Sequence, residues 1–165
     1  MELLWSFFFA IFIGIISHFY GQALPRKWFH GDKFPYKSFR WEQEGRIYRR
    51  IGVHKWQEKL PDLSRVARGM VPKRMKADMT AQDVRTLIAE ECVAEHVHTV
   101  LCIVFLYVAE FWESGTWFLL WCIYTVGNLP FIIAQRYNRP KLVRILKRLE
   151  KRACGKKQTS EEVCS

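Results

Sequence analysis

The sequence predicts an all-α fold, that of a small integral membrane protein with about three transmembrane helices and cytoplasmic amphipathic or interfacial helices. Three apolar runs, at 3–20, 99–109 and 116–134, contain no Asp, Glu, Lys or Arg. The rest of the 165-residue chain carries all 26 Lys and Arg against 16 Asp and Glu, a net charge of +10. A mean hydropathy of −0.11 averages these two populations, so it does not indicate a plain soluble domain. The length allows one domain at most.

The first apolar run predicts an N-terminal transmembrane helix, assigned to residues 1–20. A helix over 3–20 extends about 27 Å, which nearly crosses the ~30 Å apolar core of a bilayer. A cleaved secretory signal would have Lys or Arg ahead of the run and small residues after it. Here Glu2 precedes the run and the bulky segment 25–29 follows it, so we expect a retained anchor.

Residues 80–135 predict a long helix and a transmembrane hairpin. Thr80 and Asp83 have the spacing of a capping box, so the long helix is expected to begin near Ala81. It is expected to enter the membrane only after Glu95. Its first half would then lie in water and its second half in lipid.

The third apolar run is interrupted by Gly127, Asn128 and Pro130. Proline removes a backbone donor and clashes with the preceding turn, so we expect a kink or local unwinding there. Asn128 lies among apolar residues and therefore needs a hydrogen-bond partner within the protein. A short turn at 113–115 joins this run to the second one.

The placement of the basic residues orients the predicted spans. Segment 21–97 carries sixteen Lys and Arg and segment 135–165 carries ten, whereas the N-terminus and the 112–115 turn carry none. The positive-inside tendency then puts the N-terminus and the turn outside and the C-terminal tail in the cytoplasm, in a multi-pass protein of the cell membrane. Five cysteines without a CxxC pair predict reduced thiols, with no metal site and no disulfide framework.

Two segments are expected to lie at the membrane surface. Segment 21–79 mixes aromatic with basic side chains, a composition that suits the headgroup region. The same mixture can bind single-stranded nucleic acid, but beside three spans we expect no nucleic-acid partner. Segment 136–165 predicts a basic amphipathic helix resting on anionic lipid, followed by a disordered tail from Lys156. The apolar face of this helix consists of Leu142, Ile145, Leu146 and Leu149.

One face of the long helix carries four reactive side chains at helical spacing, Glu91, Glu95, His98 and Cys102. A carboxylate one turn before a histidine can accept the imidazole's hydrogen bond, fix its tautomer and leave the other nitrogen to take a proton. Glu95 and His98 are therefore candidate catalytic residues, while His96 is expected to point elsewhere. A polar face that only solvates the helix before it enters lipid would show the same spacing.

A second constellation lies at 135–140, where the third run meets the cytoplasm. Arg136 and Arg139 supply forked donors that suit phosphate or carboxylate groups, and Asn138 stands between them. The two arginines could hold the phosphates of an activated acyl donor or polarise its carbonyl. They could equally reach out to lipid headgroups.

A third constellation is the sequence His54-Lys55-Trp56. The histidine could act as a base, the lysine could contact an anion and the tryptophan could form an interfacial wall. An ordinary helix at the membrane surface would have the same composition.

Several enzyme classes are excluded by their missing motifs. No histidine is followed by the aspartate of an HxxxxD acyltransferase box, and GxSxG is absent. A single ExxH does not suffice for a ferritin-like di-iron site, and five scattered histidines are too few for a membrane desaturase. A phosphate-cradling glycine loop is also absent from the sequence.

Residues 128–140, NLPFIIAQRYNRP, and the basic run after them resemble the C-terminal signature of the glycosyl-4,4'-diaponeurosporenoate acyltransferases. These are small membrane enzymes of staphyloxanthin-type carotenoid synthesis. The stretch 94–98, AEHVH, and the pair at 55–56 also resemble that family in order and spacing, so the likeness covers about residues 40–152. His54 departs from the pattern, where a basic residue such as arginine is expected, and is set aside as a base.

The resemblance implies an enzyme that esterifies a sugar hydroxyl of a glycosylated carotenoid with a fatty acyl group. It implies no cofactor, only a fatty acyl donor such as acyl-CoA as co-substrate. The expected partners are membrane lipids, the donor, the glycosyl carotenoid acceptor and other enzymes of the carotenoid pathway. Two alternatives stay open: acylation of another membrane glycolipid, and a non-catalytic basic membrane scaffold.

The resemblance also gives each candidate residue a role. His98, oriented by Glu95, would deprotonate the sugar hydroxyl, which attacks the acyl thioester. The remaining residues would bind substrate, with the arginines on the donor's carbonyl oxygen and phosphates and the asparagine on the developing oxyanion. This binding set consists of Lys55, Trp56, Arg136, Asn138 and Arg139.

Overall fold

The structure is a computed structural model that describes residues 2–60, 79–111 and 115–163. All regular secondary structure within those ranges is helical, which confirms the all-α prediction. Of the predicted turn at 113–115, residues 113 and 114 lie outside the described residues, and so does part of segment 21–79. The α-helices are α1 (Glu2–Ala23), α2 (Arg46–Arg50), α3 (Val53–Trp56), α4 (Ala81–Phe111) and α5 (Gly115–Val163), and short 3₁₀ turns occupy Arg26–Trp28, Arg40–Gly45 and Gln57–Lys59.

Helix α4 begins where the sequence predicts. The backbone N–H of Thr80 donates to Asp83 Oδ2 at 2.9 Å, and the backbone N–H of Asp83 donates to Thr80 Oγ1 at 3.2 Å. These reciprocal bonds satisfy two of the N–H groups that the first turn of a helix leaves without partners. The predicted capping box is therefore confirmed.

Helix α5 is a single helix through the positions that were expected to interrupt it. It includes both Pro130 and Pro140, so the local unwinding expected near Pro130 is not observed. Prolines are tolerated in this way when packing against a neighbouring helix holds the backbone in place. The predicted boundary between residues 135 and 136 lies inside α5, and the helix continues past Lys156, where disorder was expected, to Val163.

The apolar face predicted to rest on lipid is covered by protein. Leu142 is buried in a core with Val84, Leu87 and Ile88 of α4, and Leu146 packs against the same core. Each buried leucine contributes about 1.5–3 kcal/mol relative to an exposed one. The basic part of α5 is therefore half of an antiparallel helix pair with α4 and not a separate helix on the membrane surface.

Helix α1 packs across the other ends of α4 and α5. The ring of Phe9 lies 5.9 Å from that of Phe105 and 6.2 Å from that of Trp117. After the helix, Arg26 donates to three carbonyl oxygens at its end and forms an ion pair with Glu90 of α4. A cation at this position complements the negative end of the helix dipole, so Arg26 both caps α1 and joins it to α4.

One helix in the described ranges is long and apolar enough to cross a membrane, the Trp117–Gly155 part of α5. The apolar stretch of α1, Phe7–Ala23, is shorter, and α4 is charged in its first half. This result supports association with a membrane.

Candidate active site

Four charged side chains meet in the interior between α4, α5 and the Arg40–Gly45 turn. They are two carboxylates and two guanidinium groups, and we call them the arginine–glutamate cluster: Glu42, Glu95, Arg136 and Arg139. Glu42 and Arg139 are fully buried, at 0% and 1% exposure, and Glu95 is 7% exposed. Ionised groups are buried in proteins only when they are paired, so the pairing within the cluster decides what it can do.

Arg136 joins both carboxylates of the cluster. Its Nε and Nη2 donate to Glu42 Oε1 and Oε2 at 2.5 and 3.1 Å, a forked arrangement, and its Nη1 donates to Glu95 Oε1 at 2.5 Å. Its guanidinium carbon also lies 4.7 Å from the centre of the Phe39 ring. Such bidentate pairs are stronger and more directional than single ion pairs, so Arg136 fixes the Arg40–Gly45 turn against α4.

Arg139 binds the second oxygen of Glu95. Its Nη2 donates to Glu95 Oε2, and its Nη1 donates to the backbone carbonyl of Tyr36 at 2.6 Å. Both oxygens of Glu95 are thus engaged by arginines, and two positive charges balance two negative ones. Arg136 and Arg139, expected to hold donor phosphates, are neutralised within the protein instead.

Two glycines allow the loop region to approach the helices closely. A Cβ at Gly45 would lie 3.2 Å from the Tyr137 carbonyl oxygen, and this glycine has a φ of +89°. A Cβ at Gly31 would lie 2.6 Å from Ile88 and 3.1 Å from the Arg139 side chain. Only glycine fits such contacts without displacement, so these two positions let the segment 31–45 deliver Glu42 to the cluster.

The surroundings of Glu42 keep it ionised. Burial raises the pKa of this carboxyl, but hydrogen bonds from Arg136, from the Tyr48 hydroxyl at 2.5 Å and from the Phe39 backbone N–H at 2.6 Å outweigh burial and leave its pKa below the usual 4.5. Burial and the bond to Glu42 raise the pKa of Tyr48. Burial above all raises the pKa of Tyr36 to about 12. Both tyrosines are therefore neutral at physiological pH, and Tyr48 donates its hydroxyl proton to Glu42.

His98 pairs through Nδ1 with an amide. Its Nδ1 lies 2.7 Å from Asn128 Oδ1, and its ring stacks on Phe131 with centroids 4.7 Å apart. Asn128 Nδ2 donates to the Tyr124 carbonyl at 2.8 Å, which points Oδ1 at the imidazole. The expectation that Asn128 has a partner within the protein is confirmed. The Nδ1 atom, which Glu95 was expected to orient, donates to Asn128, while both oxygens of Glu95 accept from arginines.

This geometry fixes the tautomer of His98. A carbonyl oxygen can only accept a hydrogen bond, so Nδ1 must carry the proton that it shares with Asn128. In the neutral ring, Nε2 then carries the lone pair. The arrangement supplies what the carboxylate was expected to supply, an imidazole held in the state that accepts a proton at Nε2.

The other predicted residues lie around these two groups. Lys55 is exposed on α3, and Trp56 is half-buried, with Nε1 3.4 Å from the Ile51 carbonyl oxygen. Asn138 is half-buried on α5, and its side chain makes no hydrogen bond to any described residue. His96 points away from His98, as expected, with its ring nitrogens 2.9 and 3.3 Å from two tyrosine hydroxyls, those of Tyr20 and Tyr36.

Glu42 is the member of the cluster that sequence reasoning missed. Helical spacing relates Glu95 to its neighbours on α4, but no periodicity relates a carboxylate in an irregular segment to a helix 94 positions later. A weak signal exists, because Glu42 and Glu44 are acidic residues next to Gly45 in an otherwise basic segment. Within the described ranges, no group of three or more His, Cys, Asp or Glu is placed to hold a metal ion.

Comparison with known proteins identifies related sequences. A family model described as glycosyl-4,4'-diaponeurosporenoate acyltransferase matches residues 25–148. The glycosyl-4,4'-diaponeurosporenoate acyltransferase of Staphylococcus aureus strain bovine RF122 / ET3-1 is 27% identical over 143 residues, covering 80% of this chain and 80% of that protein. The protein of the same name from strain USA300 is 26% identical over 143 residues, with the same coverage. No solved structure matches the chain. The family resemblance drawn from the sequence is confirmed.

Proposed function

The chain belongs to the glycosyl-4,4'-diaponeurosporenoate acyltransferase family, and we propose that it transfers a fatty acyl group to a sugar hydroxyl of a glycosylated carotenoid at the cytoplasmic face of the cell membrane. The observation that carries the proposal is the His98–Asn128 pair. It places an imidazole with a fixed tautomer where the apolar part of α4 meets its charged part. This is the level at which a ligand with a polar sugar and an apolar tail finds both environments.

We propose that α1, the second half of α4 and the first half of α5 all span the membrane, with the N-terminus outside and the C-terminus in the cytoplasm. The contacts of Phe9 with Phe105 and Trp117 hold the three stretches at one level. Their outer faces are rich in large exposed apolar side chains, which water would solvate poorly. Examples are Phe8, Phe12 and Ile15 on α1, Ile103 and Leu106 on α4, and Phe118, Leu119 and Ile123 on α5.

The proposed reaction uses His98 as a general base. Nε2 of His98 takes the proton of the sugar hydroxyl while the hydroxyl oxygen attacks the carbonyl carbon of the acyl thioester. A carbon–oxygen bond forms, the carbon–sulfur bond breaks, and the departing thiolate receives the proton from the imidazolium. Asn128 stabilises the imidazolium through Nδ1 during this exchange, so it is a positioning residue.

The arginine–glutamate cluster has a supporting role in this proposal. Glu95 stands one turn before His98 on α4, and its two arginines tie that turn to α5 and to segment 31–45. The cluster thereby holds the two helices in the register that brings Asn128 to His98. Arg136 uses three of its five N–H donors within the protein, and the others, together with Asn138, are candidates for the developing oxyanion. Lys55 and Trp56 are candidates for contacts with the sugar.

The experiment is a turnover assay of the purified full-length chain in detergent with palmitoyl-CoA and a glycosyl carotenoid. We expect His98→Ala and His98→Gln to lower kcat by about 10²–10⁴-fold, the usual contribution of a general base. The matched control is His54→Ala, which removes an exposed histidine of α3 and should leave the rate unchanged.

Two results would remove the proposal. If both His98 variants retain full turnover, the base lies elsewhere. If the wild-type chain turns over neither this carotenoid nor any other glycolipid acceptor with palmitoyl-CoA, the basic membrane scaffold is the better description. If a glycolipid that lacks a carotenoid is acylated faster, the proposed reaction stands but its acceptor is that glycolipid.

A further inference from the structure

A cleft of about 370 Å³ lies between segment 31–44 and the charged part of α5. Three exposed basic side chains line it, Lys37, Arg144 and Lys147. Arg144 forms an exposed ion pair with Glu44 at 2.8 Å, whereas the two lysines have no acidic partner among the described residues. The lining also carries the exposed carboxylate of Asp32, so once its internal pairs are counted it keeps a net charge of +1, two lysines against one aspartate.

Two buried donors belonging to residues of the lining have no acceptor among the described residues. Ser38 Oγ and Arg139 Nε are both shielded from solvent, and neither makes a hydrogen bond to a described residue. A buried polar group without a partner costs free energy, so such groups in native proteins usually bind a water or a ligand. They lie beneath the surface of the cleft beside the lysines, so an oxygen-rich anion would satisfy them through a bridging water or after a small shift of the lining.

We propose that this cleft binds the phosphate of the acyl donor, which makes the donor a phosphorylated thioester of the pantetheine class. The inference rests on the proposed function, because it assigns a ligand to that reaction. Arg136 and Arg139, expected to bind the phosphate, are already neutralised by Glu42 and Glu95. Lysine ammonium groups, a hydroxyl and an unused guanidinium N–H are the donors that phosphate oxygens accept from.

The distance along α5 favours a thioester over a phospholipid as the donor. The α5 residues proposed to contact the phosphate, Arg139 and Lys147, lie eleven and nineteen residues from Asn128, which is about 16 and 28 Å of helix. A donor with its phosphate in the cleft must carry its acyl carbonyl over a distance in that range to reach His98. The pantetheine arm separates phosphate from thioester by a long chain, whereas the phosphate and acyl ester of a phospholipid are separated by a few atoms.

The test is equilibrium binding by calorimetry to the full-length chain in detergent, without acceptor. The probes are CoA, pantetheine, which lacks phosphate, and vesicles of phosphatidylglycerol. The test variant is the double substitution Lys37→Gln/Lys147→Gln. Its control is Lys59→Gln/Lys151→Gln, which removes the same charge from exposed positions that do not line the cleft. Ser38→Ala removes a buried donor without changing charge.

We expect wild type to bind CoA and not pantetheine, the test variant to bind CoA at least about tenfold more weakly, and the control to match wild type. Ser38→Ala should weaken CoA binding severalfold, which a purely long-range charge effect would not produce. Equal CoA affinity in the test and control variants would overturn the inference. So would a cleft mutation that lowers vesicle binding and leaves CoA binding intact, since the site would then belong to lipid.

The two proposals fail separately. His98→Ala should bind CoA as wild type does, because no acceptor is present and no proton is transferred. If CoA binding depends on the cleft but the chain shows no turnover, the phosphate site is supported and the proposed reaction is rejected. If turnover depends on His98 but the cleft variant binds CoA as wild type does, the proposed reaction is supported and the phosphate site is rejected.

Discussion

The two polar groups that α4 and α5 share are separated by about one turn of α4, yet they are satisfied in different ways. In the arginine–glutamate cluster, both oxygens of Glu95 and of Glu42 accept hydrogen bonds from arginines, and the charges balance. In the other group, His98 pairs through Nδ1 with a neutral amide. One is an assembly of fixed charges, and the other is a titratable ring beside an uncharged partner.

This difference indicates which group holds the fold and which performs chemistry. A buried ion that loses its partner is strongly destabilising, so the cluster is suited to remain unchanged through a reaction cycle. An imidazole whose Nδ1 donates to an amide can gain a proton at Nε2 while it keeps that hydrogen bond. The sequence places both groups on one helical face, but their partners decide their roles.

The largest expected effect on stability comes from breaking the cluster. Glu95→Gln leaves Arg139, 1% exposed, without its charge partner. We expect the free energy of unfolding to fall by about 3–5 kcal/mol, measured by chemical denaturation in mixed micelles. The matched control is Glu150→Gln at the exposed Arg85–Glu150 pair, whose side chains are 56% and 43% exposed, and its cost should be at most about 1 kcal/mol.

A similar small loss in both variants would contradict the structural role of the cluster. It would mean that water or another carboxylate stabilises the charge of Arg139 when Glu95 is neutral. The cluster would then contribute no more to stability than an exposed ion pair does. Arg139→Met gives an independent check, because it removes the buried charge from the other side of the same pair.

The helical parts of the molecule could be predicted from the sequence, and the partners of the site residues could not. The capping box at Thr80 and the need of Asn128 for a partner follow from local chemistry within one helix. The bond between Glu42 and Arg136 depends on how an irregular segment packs against α5. Gly31 and Gly45 allow this packing because a side chain at either position would clash with a neighbouring helix. Such contacts come from tertiary packing, so local patterns carry little information about them.

The packing of α5 shows the same limit. The apolar stripe at Leu142 and Leu146 is correctly read as one face of a helix, but lipid and α4 would bury it equally well. Only the observed pairing of the two helices shows that α4, and not lipid, covers this stripe. Likewise, spacing alone makes Glu95 a suitable partner for His98, but it does not show that Nδ1 of His98 donates to Asn128 and that both oxygens of Glu95 accept from arginines.

A smaller effect is expected when the amide of the second group is removed. Asn128→Ala should lower kcat by about 10–100-fold with little change in KM, because the loss of one hydrogen bond to a buried group is worth about 1–3 kcal/mol. The measurement is steady-state turnover in detergent. Asn128→Asp keeps an acceptor oxygen toward Nδ1 and should recover part of the rate. A rise in KM alone, or no recovery in Asn128→Asp, would mean that Asn128 does not position His98.

The smallest expected effect concerns the acid stability of the cluster. The pKa of Glu42 is lowered by its hydrogen bonds, so in the folded protein this carboxylate stays ionised at a pH where the unfolded one takes up a proton. Its contribution to stability is therefore fully present above about pH 4.5 and is lost as the pH falls through the folded pKa, with a slope of at most about 1.4 kcal/mol per pH unit. Glu42→Gln should remove this slope, seen by comparing denaturation midpoints of the two proteins from pH 6 down to pH 3. If the midpoints of the two proteins fall in parallel with pH, then Glu42 has the same proton affinity in the folded and unfolded states. Its pKa would then not be lowered by the cluster, which would contradict the prediction.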